Sequence, residues 1–284
     1  MPRNHYYDRS RAKSAPTVKY KKIQTMTPFE KKLITWGNRK YELQGVKGIL
    51  LEGEKLLNEA LSINYPLHTV WVTEEFANRN TGMISQLQQT EAELKPVNNR
   101  TLREISELES PQGIVAVGPQ PNFSFVKPSS PFSLIVALPK IQNPTNLGGV
   151  IRTADYFGVD ELWLGQESAD PYKPKVVRGS MGSIFRLPIV RSPSIGNRLK
   201  EFKDSGAIIL AAVAHGKNIA PDIPTTGPRI ILIGEESKGL KSDMVALASR
   251  SLKIPGSGRS ESLNLATATG ILIYLATTGR MESV

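Results

Sequence analysis

Short apolar runs alternate with stretches of helical spacing over most of this 284-residue chain. Runs such as 134–138 and 230–233 are typical of buried strands, whereas apolar residues three and four apart are typical of helices that cover a sheet. The pattern predicts strands at 48–51, 69–72, 96–97, 113–117, 134–138, 161–164, 187–190, 208–213, 230–233 and 252–254. It predicts helices that begin near 52 and at 101, and helices at 84–94, 146–157, 174–182, 194–203, 242–247 and 262–276. This alternation indicates an α/β protein whose larger part has a parallel sheet.

A proline- and serine-rich stretch at 119–131 interrupts the pattern, because neither a helix nor a central strand tolerates so many prolines. This stretch predicts a linker between a small α/β unit at 46–118 and a larger unit at 132–284. The last predicted helix is apolar nearly all round and is expected to be buried. Its apolar stretch, 263–276, is too short to span a bilayer, so no membrane partner is expected.

The net charge of +10 is concentrated in residues 1–45, where eleven Lys and Arg residues stand against three Asp and Glu residues. Tyr6, Tyr7, Tyr20 and Trp36 are interleaved with these basic residues. Such an arm suits a polyanion, because phosphate neutralisation releases counterions and aromatic rings stack on unpaired bases. The arm therefore predicts contact with nucleic acid, with a merely solvated tail as the alternative.

Composition also removes several classes of chemistry. Cysteine is absent, which excludes disulfides, thiolate nucleophiles and cysteine-ligated zinc, and a cytoplasmic location is expected. His5, His68 and His215 lie far apart without metal-ligand spacing, so no metal site is expected. The chain contains neither the Gly-x-Gly-x-x-Gly dinucleotide fingerprint nor a Gly-Lys-Ser/Thr phosphate loop.

Three stretches place glycines and small polar residues at the ends of predicted strands, which is the edge where open α/β sheets bind ligands. They are Asn-Leu-Gly-Gly-Val-Ile-Arg at 146–152, Gly-Glu-Glu-Ser-Lys-Gly-Leu at 234–240, and the segment from Ile-Pro at 254–255 to Ser-Leu-Asn at 262–264. Asn146 is expected to cap the helix that follows it, and Arg152 comes less than two turns later. Ser262 fits an N-cap, and Asn264, inside the first turn, needs a polar partner. Taken singly, each stretch also fits a cap or a solvated turn.

Taken in this order, the three stretches resemble motifs one, two and three of the SpoU (TrmH-like) branch of the SPOUT RNA methyltransferases. The resemblance extends to Arg-Gly-Ser-Met-Gly-Ser at 178–183, to 51–53 and to 110–117, and it covers roughly residues 40–284. It implies a methyltransferase domain with a deep trefoil knot at 132–284 and an RNA substrate-binding domain at 46–118. It also implies S-adenosyl-L-methionine as the cofactor, RNA as the substrate, and a homodimer formed through the knotted domains.

The resemblance implies that the cofactor lies against the main chain of Gly234, Ile254 and Leu263 and donates its methyl group to a ribose 2′-hydroxyl. Arg152 matches the arginine that the family places at the nucleophile. Because a guanidinium keeps its proton far above neutral pH, removing that proton near pH 7 costs roughly 8 kcal/mol. Our hypothesis is therefore that Arg152 binds the target phosphate and stabilises the developing alkoxide, while the proton leaves through phosphate or water.

The resemblance assigns the remaining site residues as well. Asn146 is expected to position the ribose or Arg152, Glu236 to hold Arg152 or the nucleotide, and Ser262 and Asn264 to complete the pocket. The second motif departs from the usual Gly-Asn-Glu-Gly of the family, because this chain has Gly-Glu-Glu-Ser at 234–237. The added carboxylate of Glu235 is a candidate for altering cofactor affinity.

The separate N-terminal unit and its proline-rich linker are more similar to family members that act on ribosomal RNA than to the minimal members that act on transfer RNA. Ribosomal RNA is therefore the predicted substrate, with transfer RNA as the alternative. A catalytically silent RNA-binding member of the same fold is a second alternative. A nucleotide-dependent oxidoreductase is a third, which the missing dinucleotide fingerprint disfavours.

Overall fold

A computed structural model describes residues 46–123, 133–214, 227–259 and 262–281, together with short pieces at 28, 31, 34, 42–43, 218–219 and 223–224. Most of the predicted basic arm and most of the predicted linker lie outside these residues. The described part contains two sheets, one of five strands and one of seven. The mixed α/β class is confirmed, and the parallel sheet lies where the alternating pattern predicted it.

The first sheet, at the N-terminal end, has the strand order β1-β2-β5-β3-β4. β5 is antiparallel to β2 and β3, while β4 is parallel to β3. The carboxyl ends of β2, β3 and β4 therefore share one edge of the sheet with the start of β5. Its elements are β1 (Glu42–Leu43), β2 (Val46–Glu52), α1 (Glu54–Ser62), β3 (Thr69–Thr73), α2 (Glu74–Arg79), α3 (Thr81–Leu87), β4 (Glu93–Val97), α4 (Asn99–Ile105) and β5 (Ile114–Pro119).

Three details of this unit differ from the sequence-based expectation. The helix predicted at 84–94 is wrong beyond Leu87, because Glu93–Val97 pairs with β3 as an edge strand, where Pro96 is tolerated. The helix expected to begin at Thr101 begins at Asn99, since the Asn98 side chain accepts the Thr101 N–H at 2.7 Å. β5 also extends to Pro119, one residue into the predicted linker.

The second sheet has the order β10-β12-β9-β11-β6-β7-β8, and every neighbouring pair is parallel. β6, β7 and β11 are buried along their whole length, as expected for parallel strands covered on both faces. The elements are β6 (Leu134–Leu138), α5 (Pro144–Tyr156), β7 (Glu161–Gly165), α6 (Pro174–Ser180), a 3-10 turn (Ser183–Phe185), β8 (Ile189–Ser192), α7 (Ile195–Asp204), β9 (Ile208–Ala212), β10 (Asn218–Ile219), β11 (Arg229–Ile233), α8 (Ser242–Leu247), β12 (Arg250–Lys253) and α9 (Leu265–Met281).

The closing helix α9 differs from its expected environment. It begins at Leu265, three residues later than predicted, and only one of its faces is buried, with Leu272 and Ile273 among the buried residues. On the other face, Tyr274 is 49% exposed. None of the helices in the described ranges has the length and apolar content that crossing a membrane requires. The trefoil knot stays a prediction.

An ion pair between a buried carboxylate and a partly exposed arginine joins the two units. Glu52 ends β2 and its side chain is 1% exposed; its Oε2 accepts a hydrogen bond from the Arg178 guanidinium of α6 at 3.0 Å. Its Oε1 accepts the Glu107 N–H at 2.7 Å. Burial raises the pKa of the Glu52 carboxyl above its ordinary value of 4.5, although the Glu107 N–H and the Arg178 charge act in the opposite direction. Two residue stretches singled out from the sequence, 51–53 and 178–183, therefore meet at this interface.

Replacing Arg178 by Met is expected to lower the free energy of unfolding by about 3 kcal/mol at pH 7, because Glu52 then ionises while buried and without its partner. The raised pKa of the Glu52 carboxyl contributes stability that is fully present below pH 4.5. This contribution is lost as the pH rises through the pKa of Glu52 in the folded state. The destabilisation should therefore shrink as pH falls toward 4.5. Denaturant unfolding between pH 4.5 and pH 7 measures it.

Two further variants act as controls. Arg186→Met removes the exposed pairs of Arg186 with Glu59 and Asp155, both 2.8 Å, and should cost about 1 kcal/mol or less. The double variant Glu52→Gln, Arg178→Met should lack the pH dependence of the single Arg178 variant. If the single Arg178 variant lost the same free energy of unfolding at every pH, this would contradict a buried Glu52 that ionises.

Candidate active site

Three loops meet at the carboxyl edge of the seven-stranded sheet. The loop after β6 leads into α5, the loop after β11 leads into α8, and the loop after β12 leads into α9. The chain places β7 and β8 on one side of β6 and places β9, β11 and β12 on the other, so strand order reverses beside β6. Open parallel sheets bind ligands at such a reversal, on the carboxyl side. The sheet therefore brings all three predicted motifs to one ligand-binding edge.

Hydrogen bonds between side chains link the three loops directly. The Asn146 Nδ2 donates to Glu236 Oε2 at 3.1 Å, and the Asn264 Nδ2 donates to Asn146 Oδ1 at 3.1 Å. A longer contact of 3.5 Å joins the Asn264 Nδ2 to Glu236 Oε1. Asn146 is 7% exposed, and Glu236 and Asn264 lie at the surface. One predicted residue from each motif thus belongs to a single polar network, called here the Asn146–Glu236–Asn264 network.

Helix caps explain why these side chains are available. The expectation that Asn146 caps α5 is wrong, because the Asn143 Oδ1 accepts the N–H groups of Thr145 at 2.9 Å and Asn146 at 3.4 Å. Asn143 followed by Pro144 is a common way to start a helix, and this signal could have identified the cap. Asn146 lies in the first turn, where its side chain reaches the second motif.

Asn264 lies one position outside α9 and not inside its first turn. Its Oδ1 accepts the Ala266 N–H at 2.9 Å and the Thr267 N–H at 3.3 Å. An asparagine amide has both an acceptor and a donor group. The oxygen of Asn264 therefore caps α9 while its nitrogen binds Asn146, and the cap considered for Ser262 falls to Asn264.

The second motif folds into a tight turn. Glu235 and Gly239 exchange main-chain hydrogen bonds of 3.0 and 2.8 Å. Gly234 packs against this turn so closely that a Cβ atom there would collide with the backbone of Gly239 and Leu240. The glycine at 234 is therefore required for the turn to lie against the end of β11.

The extra carboxylate of the second motif has a partner that sequence reasoning missed. Lys140, two residues after β6, lies 3.4 Å from Glu235 and 3.4 Å from Glu167. The hydrogen bond to Glu167, followed by that to Glu235, raises the pKa of the Lys140 ammonium group. The Lys140 ammonium group thus forms ion pairs that connect the loops after the neighbouring strands β6, β7 and β11. Within the described ranges, no group of three or more His, Asp or Glu side chains is placed to hold a metal ion.

Arg152 lies on the exposed side of α5, about 9 Å along the axis and about 120° around it from Asn146. Glu236 was expected to hold Arg152 or the nucleotide, and in the structure it bonds to Asn146 and Asn264. The Arg152 guanidinium has no hydrogen-bond or ion-pair partner within the described part of the chain. It therefore remains available to a phosphate.

The residues around the third motif include exposed and half-buried apolar side chains and two glycines. Leu263 is 47% exposed, and Ile254 is half-buried. A Cβ atom added at Gly256 or Gly258 would meet no atom within 4 Å. Ser262 is exposed beside Leu263. An exposed apolar side chain thus stands next in the chain to Asn264 of the polar network.

Two family models match this chain. The SpoU rRNA methylase family matches residues 133–274, and the model described as RNA 2'-O ribose methyltransferase substrate binding matches residues 50–124. The chain is 30% identical to the 23S rRNA (guanosine(2553)-2'-O)-methyltransferase of Bacillus subtilis over 225 residues. That alignment covers 79% of this chain and 86% of the relative.

Solved structures agree with this assignment. An AdoMet-bound rRNA methyltransferase from Sinorhizobium meliloti superposes with a TM-score of 0.77 at 26% identity, covering 92% of this chain and 97% of that chain. The SpoU methyltransferase of Streptomyces viridochromogenes in complex with AdoMet superposes with a TM-score of 0.71 at 27% identity, covering 83% and 91%. With the first family model spanning half of its length, the chain belongs to the SpoU rRNA methylase family of S-adenosylmethionine-dependent RNA methyltransferases.

Proposed function

We propose that this chain methylates a ribose 2′-hydroxyl of ribosomal RNA, using S-adenosylmethionine as the methyl donor. The observation that carries the proposal is the Asn146–Glu236–Asn264 network, which joins the three motif loops at the ligand-binding edge of the parallel sheet. Relatives from Bacillus subtilis and Streptomyces viridochromogenes are named as 2'-O-methyltransferases of 23S rRNA. A ribosomal substrate agrees with the cytoplasmic location expected from the sequence.

In this proposal the main chain at Gly234, Ile254 and Leu263 holds the cofactor, which supplies a methyl group on a positively charged sulfur. The network acts on the protein side, since it ties the three loops that form the pocket to one another. The segment that carries Asn264 into α9 would be the part threaded through the knot. Ser262, exposed beside Leu263, would contact the nucleotide.

Arg152 acts on the RNA. Its exposed guanidinium would bind the phosphate next to the target nucleotide and place the ribose 2′-oxygen for attack. The 2′-oxygen gains the methyl group and loses its proton, and negative charge develops on it during this step. A fixed positive charge stabilises that oxygen without itself losing a proton, which for a guanidinium is costly near neutral pH.

The reaction is tested with purified protein, radiolabelled S-adenosylmethionine and deproteinised ribosomal RNA.

Mapping of 2′-O-methyl positions by resistance to alkaline cleavage, in RNA from cells with and without the protein, identifies the nucleotide. Loss of one ribosomal position in the deficient cells is the expected result. Loss of a transfer-RNA position in those cells would favour the alternative substrate.

Changing Arg152 to Ala or to Lys is expected to lower kcat/KM for RNA by roughly 100-fold, because a planar guanidinium holds a phosphate with two hydrogen bonds and an ammonium does not. The affinity for S-adenosylmethionine, measured by calorimetry, should stay within about twofold of wild type. A lysine variant with the wild-type rate would contradict a need for the guanidinium shape. A wild-type rate that rises tenfold with each pH unit up to pH ~10 would instead indicate a titrating base.

Changing Asn264 to Asp separates the two bonds of its amide. A carboxylate still caps α9 but cannot donate to Asn146, and it places a second negative charge beside Glu236. Stability should stay within about 1 kcal/mol of wild type, while S-adenosylmethionine affinity falls about tenfold.

The matched control is Asn264→Ser, which keeps a cap without adding charge. It should bind the cofactor with an affinity between those of the Asp variant and wild type. If the Asp variant binds S-adenosylmethionine as tightly as wild type does, the network is not part of the cofactor site.

We also propose that two copies of the chain pair through α5 and α9. The two helices present a groove of about 690 Å³ lined by Gly149, Thr153, Phe157, Ala266, Thr267, Gly270, Ile271, Tyr274 and Leu275. The small residues of the groove allow close approach of a second helix pair, and Tyr156, 82% exposed, lies next to Phe157. A second copy would cover this apolar face, which one chain leaves open to water.

Sedimentation equilibrium should show a dimer of the 31.2 kDa chain, and Tyr274→Glu should shift it to the monomer, since a charge would be buried in the interface. Ile63→Glu is the matched control, because Ile63 is an exposed apolar residue on the other unit, 39% exposed. It should sediment as wild type does. A wild-type protein that sediments as a monomer would contradict the proposed dimer.

A further inference from the structure

A polar cavity of about 340 Å³ opens in the N-terminal unit, away from the three motifs. Its volume lies within the range of small-ligand sites. It is formed by the end of β3 and the helix after it, by the start of α4, and by the loop before β5. The lining residues are Thr73, Glu75, Arg79, Asn99, Leu102, Arg103, Ser110, Pro111, Gln112 and Gly113.

The cavity lies at the sheet edge that faces the catalytic unit. β2, β3 and β4 end at this edge and β5 begins there. Glu52, the last residue of β2, binds Arg178 of α6 across the interface. The side chain of Gln112 occupies the space where a Cβ atom of Gly53 would lie, so the cavity borders the residue next to Glu52. A ligand held here would therefore lie at the edge of the N-terminal sheet that contacts α6.

The charge of the cavity is opposite to that of the unit around it. Residues 46–123 contain six Lys and Arg against ten Asp and Glu, yet two of those six basic residues line this one cavity. Arg79 pairs with Glu75 at 3.3 Å. The exposed guanidinium of Arg103 has no hydrogen bond or ion pair within the described ranges. An unpaired guanidinium in an acidic unit is a suitable site for a phosphate group.

Uncharged donors and acceptors lie beside this guanidinium. The side-chain amides of Asn99 and Gln112 are exposed and make no hydrogen bond to any other described residue. Such amides pair with base edges and with ribose hydroxyls. The cavity thus offers groups suited to a phosphate next to groups suited to a sugar or a base, which is the pattern a nucleotide requires.

We infer that this cavity binds one nucleotide of the substrate RNA outside the methylated site, with its phosphate on Arg103 and Arg79 and its base or ribose on Gln112 and Asn99. The inference rests on the proposed function, since it takes RNA as the substrate. It gives the acidic N-terminal unit one place that attracts RNA. Nucleotide binding at this edge would fix the distance between the contacted nucleotide and the methylated one.

The test compares Arg103→Gln with Arg100→Gln in the full-length protein. Both residues lie on α4 and both changes remove one positive charge, but Arg100 lies outside the cavity and pairs with Glu104 at 3.7 Å. Filter binding of deproteinised ribosomal RNA, without cofactor, measures affinity as a function of salt. Arg103→Gln should weaken binding about tenfold and reduce the slope of log K against log salt by about 1, whereas Arg100→Gln should change binding less than twofold.

Gln112→Ala tests the uncharged part of the cavity. It should weaken RNA binding about fivefold with an unchanged salt slope, because no charge is lost. With active enzyme, Arg103→Gln should raise the KM for RNA and leave kcat and the affinity for S-adenosylmethionine unchanged. Circular dichroism of each variant confirms that it is folded.

Equal effects of Arg103→Gln and Arg100→Gln on RNA binding would overturn the inference, because general charge alone would then explain both. Failure of the proposed function looks different: the wild-type protein would methylate no RNA at all. Filter binding would still decide whether the cavity contacts RNA in that case, since it needs no methyl transfer.

Discussion

The amide of Asn264 is the group on which the assembly of the site depends. Its oxygen caps the start of α9 by accepting two backbone N–H groups, and its nitrogen donates to Asn146, which in turn donates to Glu236. A carboxylate could cap the helix but not donate, and a shorter hydroxyl could cap it without the same reach. One amide therefore sets where α9 begins and holds the loops after β6, β11 and β12 against one another.

Two contacts extend this arrangement beyond the motif loops. Lys140 lies between Glu235 and Glu167 and joins the loops after β6, β7 and β11, so the departure from the usual second motif is matched by a nearby cation. Glu52 and Arg178 join the sheet of the N-terminal unit to α6. α6 also packs on α5, the helix that carries Asn146 and Arg152. The N-terminal unit is therefore connected through α6 to the helix that carries two of the predicted site residues.

Local patterns predicted elements well and their ends poorly. Continuous apolar runs identified β6, β7 and β11, since parallel strands covered on both faces need apolar residues at every position. The helix predicted at 84–94 was wrong because pairing with β3, which no local pattern encodes, turns 93–97 into a strand. The caps were misplaced by two or three residues, since Asn143, Asn146, Ser262 and Asn264 all belong to residue types that cap helices.

The sequence by itself determined the α/β class, the parallel sheet and the order of three motifs, because these follow from residue types repeated over short distances. The tertiary structure decided which partners those residues take. Glu236 bonds to Asn146, 90 positions away, and Glu52 bonds to Arg178, 126 positions away. That Arg103 has no ion-pair partner among the described residues likewise depends on its surroundings in the fold. Hydrogen bonds and ion pairs act over a few ångströms, so only the folded chain selects, among many compatible side chains, the ones that meet.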